Sequence, residues 1–422
     1  MISLNASNEN KDNSYLRNLC VVYFFYIILE GAFRKWFIPS LSIEVLLIRD
    51  LFVIFIITQG ILKKSYNFNS ILEKSLIYWT FLVLIWLVMQ LTLKDIVIGV
   101  VFIGFRFWVL YFWLSVLIFR IYQNFDEIDD FFIKIVYTIF PISILVLIQH
   151  YLPIDHIINT QVGGGTVFTV ANNIVRVTGP FSFTAGFGEY VSFITPFFLY
   201  FILERKKKAS FLIKTIFIFS FASCIIVSGS RTIILTSFVM ILISLILNKK
   251  SKNYIANFFI LFIILFLCYL IFERAIDASI VRFESVNESF IFRIYDTILP
   301  EAKTWEGYTT LGRGIGLGSN MSSYFTTNYF FLGEHEVDKI INEGGLLGIF
   351  FYVFKIIMSF YFIMRSKKIY KQHETALPLY FSLYLANILL LHQITTQVTV
   401  HAFAFLAIGF MILLINIYPK DN

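Results

Sequence analysis

Four arginines stand in polar stretches beside long apolar segments, where a positive charge needs a reason. They are Arg176, Arg231, Arg293 and Arg313. An arginine in the middle of a membrane costs about 2.5–3.5 kcal/mol on insertion scales. Guanidinium groups match the oxygens of a pyrophosphate through paired hydrogen bonds. The set therefore predicts an anion-binding site, although each single arginine has the alternative of snorkelling or of pairing with Glu284, Glu288 or Asp296.

The densest group of titratable residues follows shortly afterwards. It comprises Glu334, His335, Glu336 and Asp338. Glycosyl transfer with inversion needs one base to take the proton of the acceptor hydroxyl, whereas a pyrophosphate leaving group needs cations rather than an acid. Glu334, His335 and Glu336 are therefore candidate catalytic bases, with the arginines as pyrophosphate ligands. A solvated loop tip or a helix cap is the alternative interpretation.

Glycines alternate with other residues in the sequence LGRGIGLGSN. They are Gly312, Gly314, Gly316 and Gly318. Backbone without a β-carbon can approach a phosphate or a sugar closely. No Gly-Lys-Ser/Thr sequence follows, so this is not a phosphate-binding loop of the Walker type. A plain turn is the favoured interpretation of the motif taken by itself.

Further charges lie inside the apolar segments. Glu30 and Arg34 are spaced to pair across one helical turn, Arg49 is next to Asp50, and Arg106 has no local partner. Structural pairing is the favoured interpretation for all of them. The polar connection at 392–399 contains His, Gln and Thr side chains, and we expect it to line the same cavity as the arginines. No spacing of His, Cys, Asp and Glu resembles a metal site.

The composition places these residues in a membrane. Of 422 residues, 58% are hydrophobic, 19% are aromatic and only 14% are charged, against about 25% charged residues in soluble domains. The mean hydropathy is +0.78. The net charge of +7 does not indicate nucleic acid as a partner, because the cationic runs lie between hydrophobic segments. We therefore predict an all-α, polytopic integral membrane protein that forms a single domain over residues 1–422.

Twelve segments have the apolar character of membrane spans, each of which needs about 20 residues. They are 18–33, 43–62, 75–93, 96–119, 131–152, 186–203, 211–229, 231–247, 254–272, 345–364, 376–395 and 398–417. Cytoplasmic connections carry an excess of Lys and Arg, and here these residues follow the even-numbered spans, as at Lys63 and Arg205. Both termini are then cytoplasmic. The long connections 153–185 and 273–344 lie outside, and we interpret 273–344 as an extracytoplasmic catalytic loop before the tenth span.

Several motifs occur in a recognisable order between about residues 170 and 365. They are RVTGPF before a span, SGSRT at a span junction, FRIYDTILPEA followed by LGRGIGLG, and an acidic segment closing with NEGGLLGIFFYVF. In this order the chain resembles the O-antigen polymerase/O-antigen ligase superfamily. The N-terminal LEGAFRKWFIPSLSIEVLLIRD is similar to exopolysaccharide-locus members of that group.

The resemblance implies a helical membrane glycosyltransferase of the C type that uses no metal or other cofactor. Such enzymes act on undecaprenyl-pyrophosphate-linked glycans at the outer face of the inner membrane. The pyrophosphate-binding arginines of the family fall on Arg231 and Arg293, and its upstream arginine falls on Arg176. Many members have His-Asn at a fixed distance before a Glu. Here Glu334 stands at the His position and His335 at the Asn position, which leaves these two as rival bases and Glu336 as a third.

Three functions remain open at this stage. A polymerase would join oligosaccharide repeat units on the lipid carrier, and the exopolysaccharide-like N-terminus favours it. A ligase would transfer a finished glycan to a lipid or protein acceptor by the same chemistry. A transporter of lipid-linked sugars is the alternative of another class, but transporters place ionisable residues near the midplane of related halves. The expected partners are lipid-linked oligosaccharide, membrane lipids, and a chain-length regulator or flippase, with no nucleic acid.

Overall fold

The structure of the protein is a computed structural model. It describes residues 2–165, 167–169, 174–205, 209–247, 295, 297–326 and 335–418, together with scattered positions between 263 and 280. Within these ranges the regular structure is helical, apart from one isolated β-bridge between Thr169 and Val175. The predicted all-α class is thereby confirmed.

Apolar helices of membrane-spanning character make up most of the described chain. Eight are long enough to cross a membrane, and three shorter ones accompany them within the described ranges. In chain order the helices are α1 (Asn13–Phe37), α2 (Pro39–Leu62), α3 (Ile71–Leu93), α4 (Ile98–Ile121), α5 (Phe125–Tyr151), α6 (Thr184–Glu204), α7 (Phe211–Val227), α8 (Arg231–Leu247), α9 (Glu336–Gly344), α10 (Leu346–His373), α11 (Leu377–Leu391) and α12 (Val398–Ile417). All except α9 are apolar. The protein is therefore a multi-pass membrane protein.

The predicted spans agree with these helices. Each has a counterpart except the ninth, 254–272, most of which lies outside the described residues. The bounds differ by a few residues, and α5 begins six residues before the predicted start at 131 because a polar first turn precedes its apolar part. There, the side chain of Asn124 accepts a hydrogen bond from the amide of Glu127 at 3.0 Å, which is an N-cap.

The connections between the spans gather at two ends. At one end, which we call the basic end, Arg17 pairs with Glu127 at 2.6 Å and Arg120 pairs with Glu73 at 2.6 Å. The opposite end is formed by the C-terminus of α1, the connection 152–183, the described part of 295–345 and the connection 392–397. We call it the loop end.

Two spans, α6 and α12, form the centre of the arrangement and are the most enclosed by other helices. Their rings interlock: Phe197 of α6 lies edge to face with Phe410 of α12, with the centroids 5.8 Å apart. Phe132 of α5 also contacts Phe410, at 5.4 Å. Edge-to-face aromatic pairs fix the relative rotation of the helices that carry them. This core holds the N-termini of α6 and α12 side by side at the loop end.

Candidate functional site

A cavity of about 620 Å³ opens at the loop end. Its walls come from four segments that are far apart in the sequence: the junction of α1 and α2, the connection before α6, the turn after the alternating glycines, and the start of α12. The lining residues are Arg34, Pro39, Ser40, Ser42, Ile43, Glu44, Leu46, Val162, Gly163, Phe168, Ser182, Phe183, Thr184, Gly186, Asn320, Met321, Tyr324, Thr396, Gln397, Val398 and Thr399. Hydroxyl groups, aromatic rings and one guanidinium group therefore face a shared space.

Arg34 is the one cation among the described lining residues of this cavity. Its Nε donates to Ser42 Oγ at 3.0 Å, and its Nη1 donates to Ser182 Oγ at 3.0 Å and to Glu30 Oε1 at 3.4 Å. The predicted pairing of Glu30 with Arg34 is confirmed. Arg34 lies in a π-helical turn, Phe33–Phe37, that ends α1, and such turns occur frequently at functional sites.

The end of α1 reaches the cavity because Gly31 lets it pack directly on the connection before α6. A β-carbon at Gly31 would lie 2.5 Å from the carbonyl oxygen of Pro180. Lys35 extends the contact, since its buried ammonium group donates to Thr178 Oγ1 at 2.9 Å and to the carbonyl of Gly179 at 2.7 Å. The RVTGPF motif is thus a docking surface for α1.

A group of buried charges lies behind the cavity wall. Arg49 Nη1 is 3.0 Å from Glu30 Oε2, and Arg106 Nη1 donates to Asp50 Oδ2 at 2.8 Å. Arg106 Nη1 also reaches the sulfur of Met321, a lining residue, at 3.2 Å. Structural pairing was predicted for these residues and is confirmed. Arg49 does not pair with its sequence neighbour Asp50. It lies against Glu30 instead, and Asp50 accepts a hydrogen bond from Arg106.

The glycine-rich segment forms a turn packed against α3 and α4. A β-carbon at Gly316, whose φ is +102°, would lie 2.7 Å from the carbonyl oxygen of Val100. Gln90 of α3 holds the turn from the other side, since its amide donates to the carbonyl of Leu311 at 2.6 Å and accepts from the amide of Ile315 at 2.9 Å. These contacts agree with the favoured interpretation as a turn, and the turn delivers Asn320 and Met321 to the cavity.

A buried lysine connects the glycine turn to the connection before α12. Lys339 Nζ donates to the carbonyl oxygen of Thr395 and to Thr395 Oγ1, the latter at 3.0 Å, and lies 3.7 Å from Glu343 Oε1. Glu343 Oε1 in turn accepts the amide of Gly318 at 2.7 Å. Burial lowers the pKa of Lys339 and raises that of Glu343, and each partner offsets part of the other's shift. One buried ion pair therefore contacts both the glycine turn and the connection before α12.

The predicted bases occupy different environments. Glu336 is buried, lies 3.4 Å from Lys355 Nζ, and accepts the amide of Thr395 at 3.0 Å. This contact places it directly behind Thr396, a lining residue. His335 is partly exposed, with its Nε2 3.6 Å from Glu301 Oε1. Glu334 lies outside the described residues.

Three of the predicted arginines, Arg176, Arg231 and Arg313, lie at the loop end without being among the lining residues of the cavity. The backbone amide of Arg176 donates to the carbonyl of lining residue Phe168 at 2.9 Å. Arg231 is the first residue of α8. Arg313 is exposed, with its guanidinium group against Gly307. Arg293 lies outside the described residues.

Two ionisable residues of the cavity escaped the sequence analysis as site residues. Arg34 was interpreted as a structural partner of Glu30. It does pair with Glu30, and it also lines the cavity. Glu44 is exposed in the first turn of α2 and is the one carboxylate among the described lining residues. The signal available for both was their position at the α1–α2 junction, which the predicted topology puts on the same side of the membrane as the predicted arginines. Thr396, Gln397 and Thr399 of the polar connection 392–399 line this cavity, but the described members of the predicted arginine set do not line it with them.

A second polar group lies at the same end. His392 Nδ1 is 2.8 Å from Glu189 Oε2, and Tyr384 donates to Glu189 Oε1 at 2.6 Å. Burial alone would lower the pKa of His392, but the carboxylate of Glu189 outweighs it and raises the pKa above the ordinary value. Within the described part of the chain, no three His, Cys, Asp or Glu residues converge as a metal site.

The fold and the cavity define a polytopic all-α membrane protein with a polar site at one end. Models of known protein families do not match this chain, and no similar sequence is found among curated proteins.

Proposed function

We propose that the protein is a membrane glycosyltransferase that polymerises undecaprenyl-pyrophosphate-linked oligosaccharide repeat units. In this proposal the loop end faces outwards from the inner membrane and both termini are cytoplasmic. The basic end, with Arg17, Arg120 and Arg205, then lies on the cytoplasmic side, as the positive-inside rule favours. The site works without a metal, and its substrate is a lipid-linked oligosaccharide.

The single observation that carries the proposal is the composition of the cavity. Arg34, hydroxyl-bearing residues such as Ser182 and Thr396, and the exposed rings of Phe168 and Tyr324 surround one space. A guanidinium group suits a phosphate, whereas hydroxyl and amide groups suit sugar hydroxyls. A site that transfers a glycan from a pyrophosphate needs both kinds of contact next to each other.

The chemistry is a substitution at the anomeric carbon. The acceptor hydroxyl oxygen forms the new bond, the bond from the anomeric carbon to the phosphate oxygen breaks, and the electron pair leaves on the pyrophosphate. The hydroxyl proton passes to a carboxylate or an imidazole. His335, Glu336 and Glu334 are the bases proposed from sequence, and Glu44 is the carboxylate on the cavity itself. Cations stabilise the departing pyrophosphate. Arg176, Arg231, Arg293 and Arg313 are the ligands proposed from sequence, and Arg34 is the guanidinium group on the cavity itself.

The test is incubation of the purified full-length protein in liposomes with lipid-linked repeat units, with products separated by size. A ladder of products supports a polymerase. Transfer that occurs only with an added lipid or protein acceptor replaces the proposal with a ligase. Movement of the lipid across the bilayer without any product replaces it with a transporter.

Arginine variants sharpen this test. We expect Arg231→Ala and Arg293→Ala each to abolish extension while the protein still inserts in the membrane. Lys303→Ala is the matched control, because Lys303 is an exposed cation of the same loop region. Normal product length in both arginine variants would overturn the assignment of these residues to pyrophosphate.

A further inference from the structure

We propose that Arg34 is the point at which the cavity binds a diphosphate, with Arg49 and Arg106 supplying positive potential from behind. This inference deepens the proposed function and rests on it only for the identity of the natural substrate. Arg34 and Arg49 lie in the N-terminal segment LEGAFRKWFIPSLSIEVLLIRD, to which the resemblance assigns no ligand role, and Arg106 lies outside that segment and outside the motifs between residues 170 and 365.

The first support is the way in which Arg34 is held. Its Nε and Nη1 bind Ser42, Ser182 and Glu30, which fixes the plane of the guanidinium group. Its Nη2 has no hydrogen-bond partner among the described residues, although only 11% of the side chain is exposed. A fixed guanidinium group that lines a cavity and keeps one edge unsatisfied is prepared for an oxyanion.

The second support is the charge balance behind the wall. Arg34, Arg49 and Arg106 contribute three positive charges, against two negative charges from Glu30 and Asp50. Placing a charge in a low-dielectric interior is costly unless it is compensated. A ligand anion next to Arg34 would supply the missing negative charge.

The third support is that both buried arginines have guanidinium N–H groups without a hydrogen-bond acceptor among the described residues. Arg49 is fully buried, and none of its three guanidinium nitrogens meets hydrogen-bond geometry among the described residues. Nε and Nη2 of Arg106 are in the same situation. Glu30 is shared between Arg34 and Arg49, so one carboxylate faces two guanidinium groups. Arg106 reaches the cavity wall itself, where its Nη1 contacts the sulfur of Met321.

The other charged groups that the structure describes near the cavity do not reverse this balance, and Glu336 among them is paired with Lys355. Lys35 is buried on the same turn as Arg34 and contributes no negative charge. Lys339 and Glu343 form a pair without net charge. Glu44 is negative, but it is exposed and therefore screened by water. We place the diphosphate at the Arg34 side, within reach of Ser42 and Ser182, and the sugar hydroxyls towards Glu44.

The experiment measures binding to the purified full-length protein in detergent, with no acceptor glycan present. The probes are inorganic pyrophosphate, geranylgeranyl diphosphate, and geranylgeraniol as the uncharged control, read by thermal unfolding and by titration. We expect diphosphate-bearing probes to stabilise the wild type and geranylgeraniol to have little effect. Stabilisation by pyrophosphate alone indicates a free phosphate compound as ligand. Stabilisation only by the isoprenyl diphosphate indicates a lipid headgroup.

Substitution of Arg34 decides the assignment. Arg34→Gln is expected to weaken diphosphate binding about 10- to 100-fold, the range for losing a hydrogen bond to a charged group. If that variant does not fold, Arg34→Lys decides, because it keeps the charge and loses the fork, and we expect weaker binding there too. The control is Arg17→Gln, an arginine paired with Glu127 at the basic end.

Wild-type affinity for diphosphate in Arg34→Lys and in any folded Arg34→Gln variant would overturn the inference, as would equal stabilisation by geranylgeraniol. Because binding is read without glycan extension, a failed polymerisation assay leaves this result standing. Conversely, a protein that extends glycans but binds diphosphate normally without Arg34 would retain its proposed function and lose this site.

Discussion

Lys339 Nζ lies 3.7 Å from Glu343 Oε1, one helical turn apart in α9, and both side chains are buried. Each also holds a different wall of the cavity, since Lys339 binds Thr395 and Glu343 binds the amide of Gly318. The pair therefore sets the distance between the glycine turn and the start of α12.

Removing the lysine alone is expected to be costly. Lys339→Met leaves Glu336 and Glu343 buried with less compensation, and breaking a buried ion pair typically costs about 3–5 kcal/mol. We expect a lower unfolding temperature in detergent. The double variant Lys339→Met with Glu343→Gln should lose less than the sum of the two single changes, because no unpaired charge of the pair remains. Additive losses would show that the pair is not coupled. Lys303→Met, at an exposed position, is the control.

The close approach of α1 to the connection before α6 can be tested at Gly31. Gly31→Ala places a methyl group 2.5 Å from the carbonyl oxygen of Pro180, so α1 must move and Arg34 moves with it. Overpacking of this kind typically costs about 1–3 kcal/mol. We expect reduced thermal stability and reduced glycan extension. Gly165→Ala is the control, since a β-carbon there meets nothing within 4 Å. Equal behaviour of the two variants would contradict this account of the α1 contact.

The carboxylate of the cavity is expected to matter for rate rather than for stability. Glu44→Gln keeps the shape of the side chain and removes a proton acceptor, and a general base contributes about 10²- to 10⁴-fold. We expect glycan extension to slow within that range while the unfolding temperature stays the same. Glu306→Gln is a control at an exposed position of the same end. Full activity of Glu44→Gln would return the search for a base to Glu334, His335 and Glu336.

His392 predicts a pH dependence of stability. The pKa of His392 is raised in the folded protein by the carboxylate of Glu189. A raised pKa gives stability that is fully present below the unfolded value of about 6.5 and is lost as the pH rises through the folded value. We expect the unfolding temperature to fall as the pH rises through this window, and the slope to shrink in His392→Gln. An unchanged slope in that variant, or an equal effect of His373→Gln, would contradict the prediction.

The sequence predicted the spans well because a membrane demands long apolar helices, and length and composition suffice to find them. It also predicted the pair Glu30–Arg34, which is local to one helical turn. Arg106 and Asp50 are 56 residues apart, and no periodic pattern indicates which buried arginine meets which carboxylate.

The cavity itself could be predicted only in part. The polar composition of 392–399 was a usable signal, because polar residues between two spans must face water or one another. The participation of Arg34 was not, because it depends on how closely α1 packs against Pro180 and Ser182 through Gly31. That approach follows from one missing β-carbon, and a single glycine in an apolar helix does not indicate which segment of the chain packs against it.

The walls of the cavity span most of the chain, from Arg34 in α1 to Thr399 in α12. During synthesis, the first helices enter the bilayer long before the last one is made. The cavity is therefore incomplete until α12 packs against its neighbours. A chain that ends before α12 would therefore insert its first helices in a membrane and still lack this cavity.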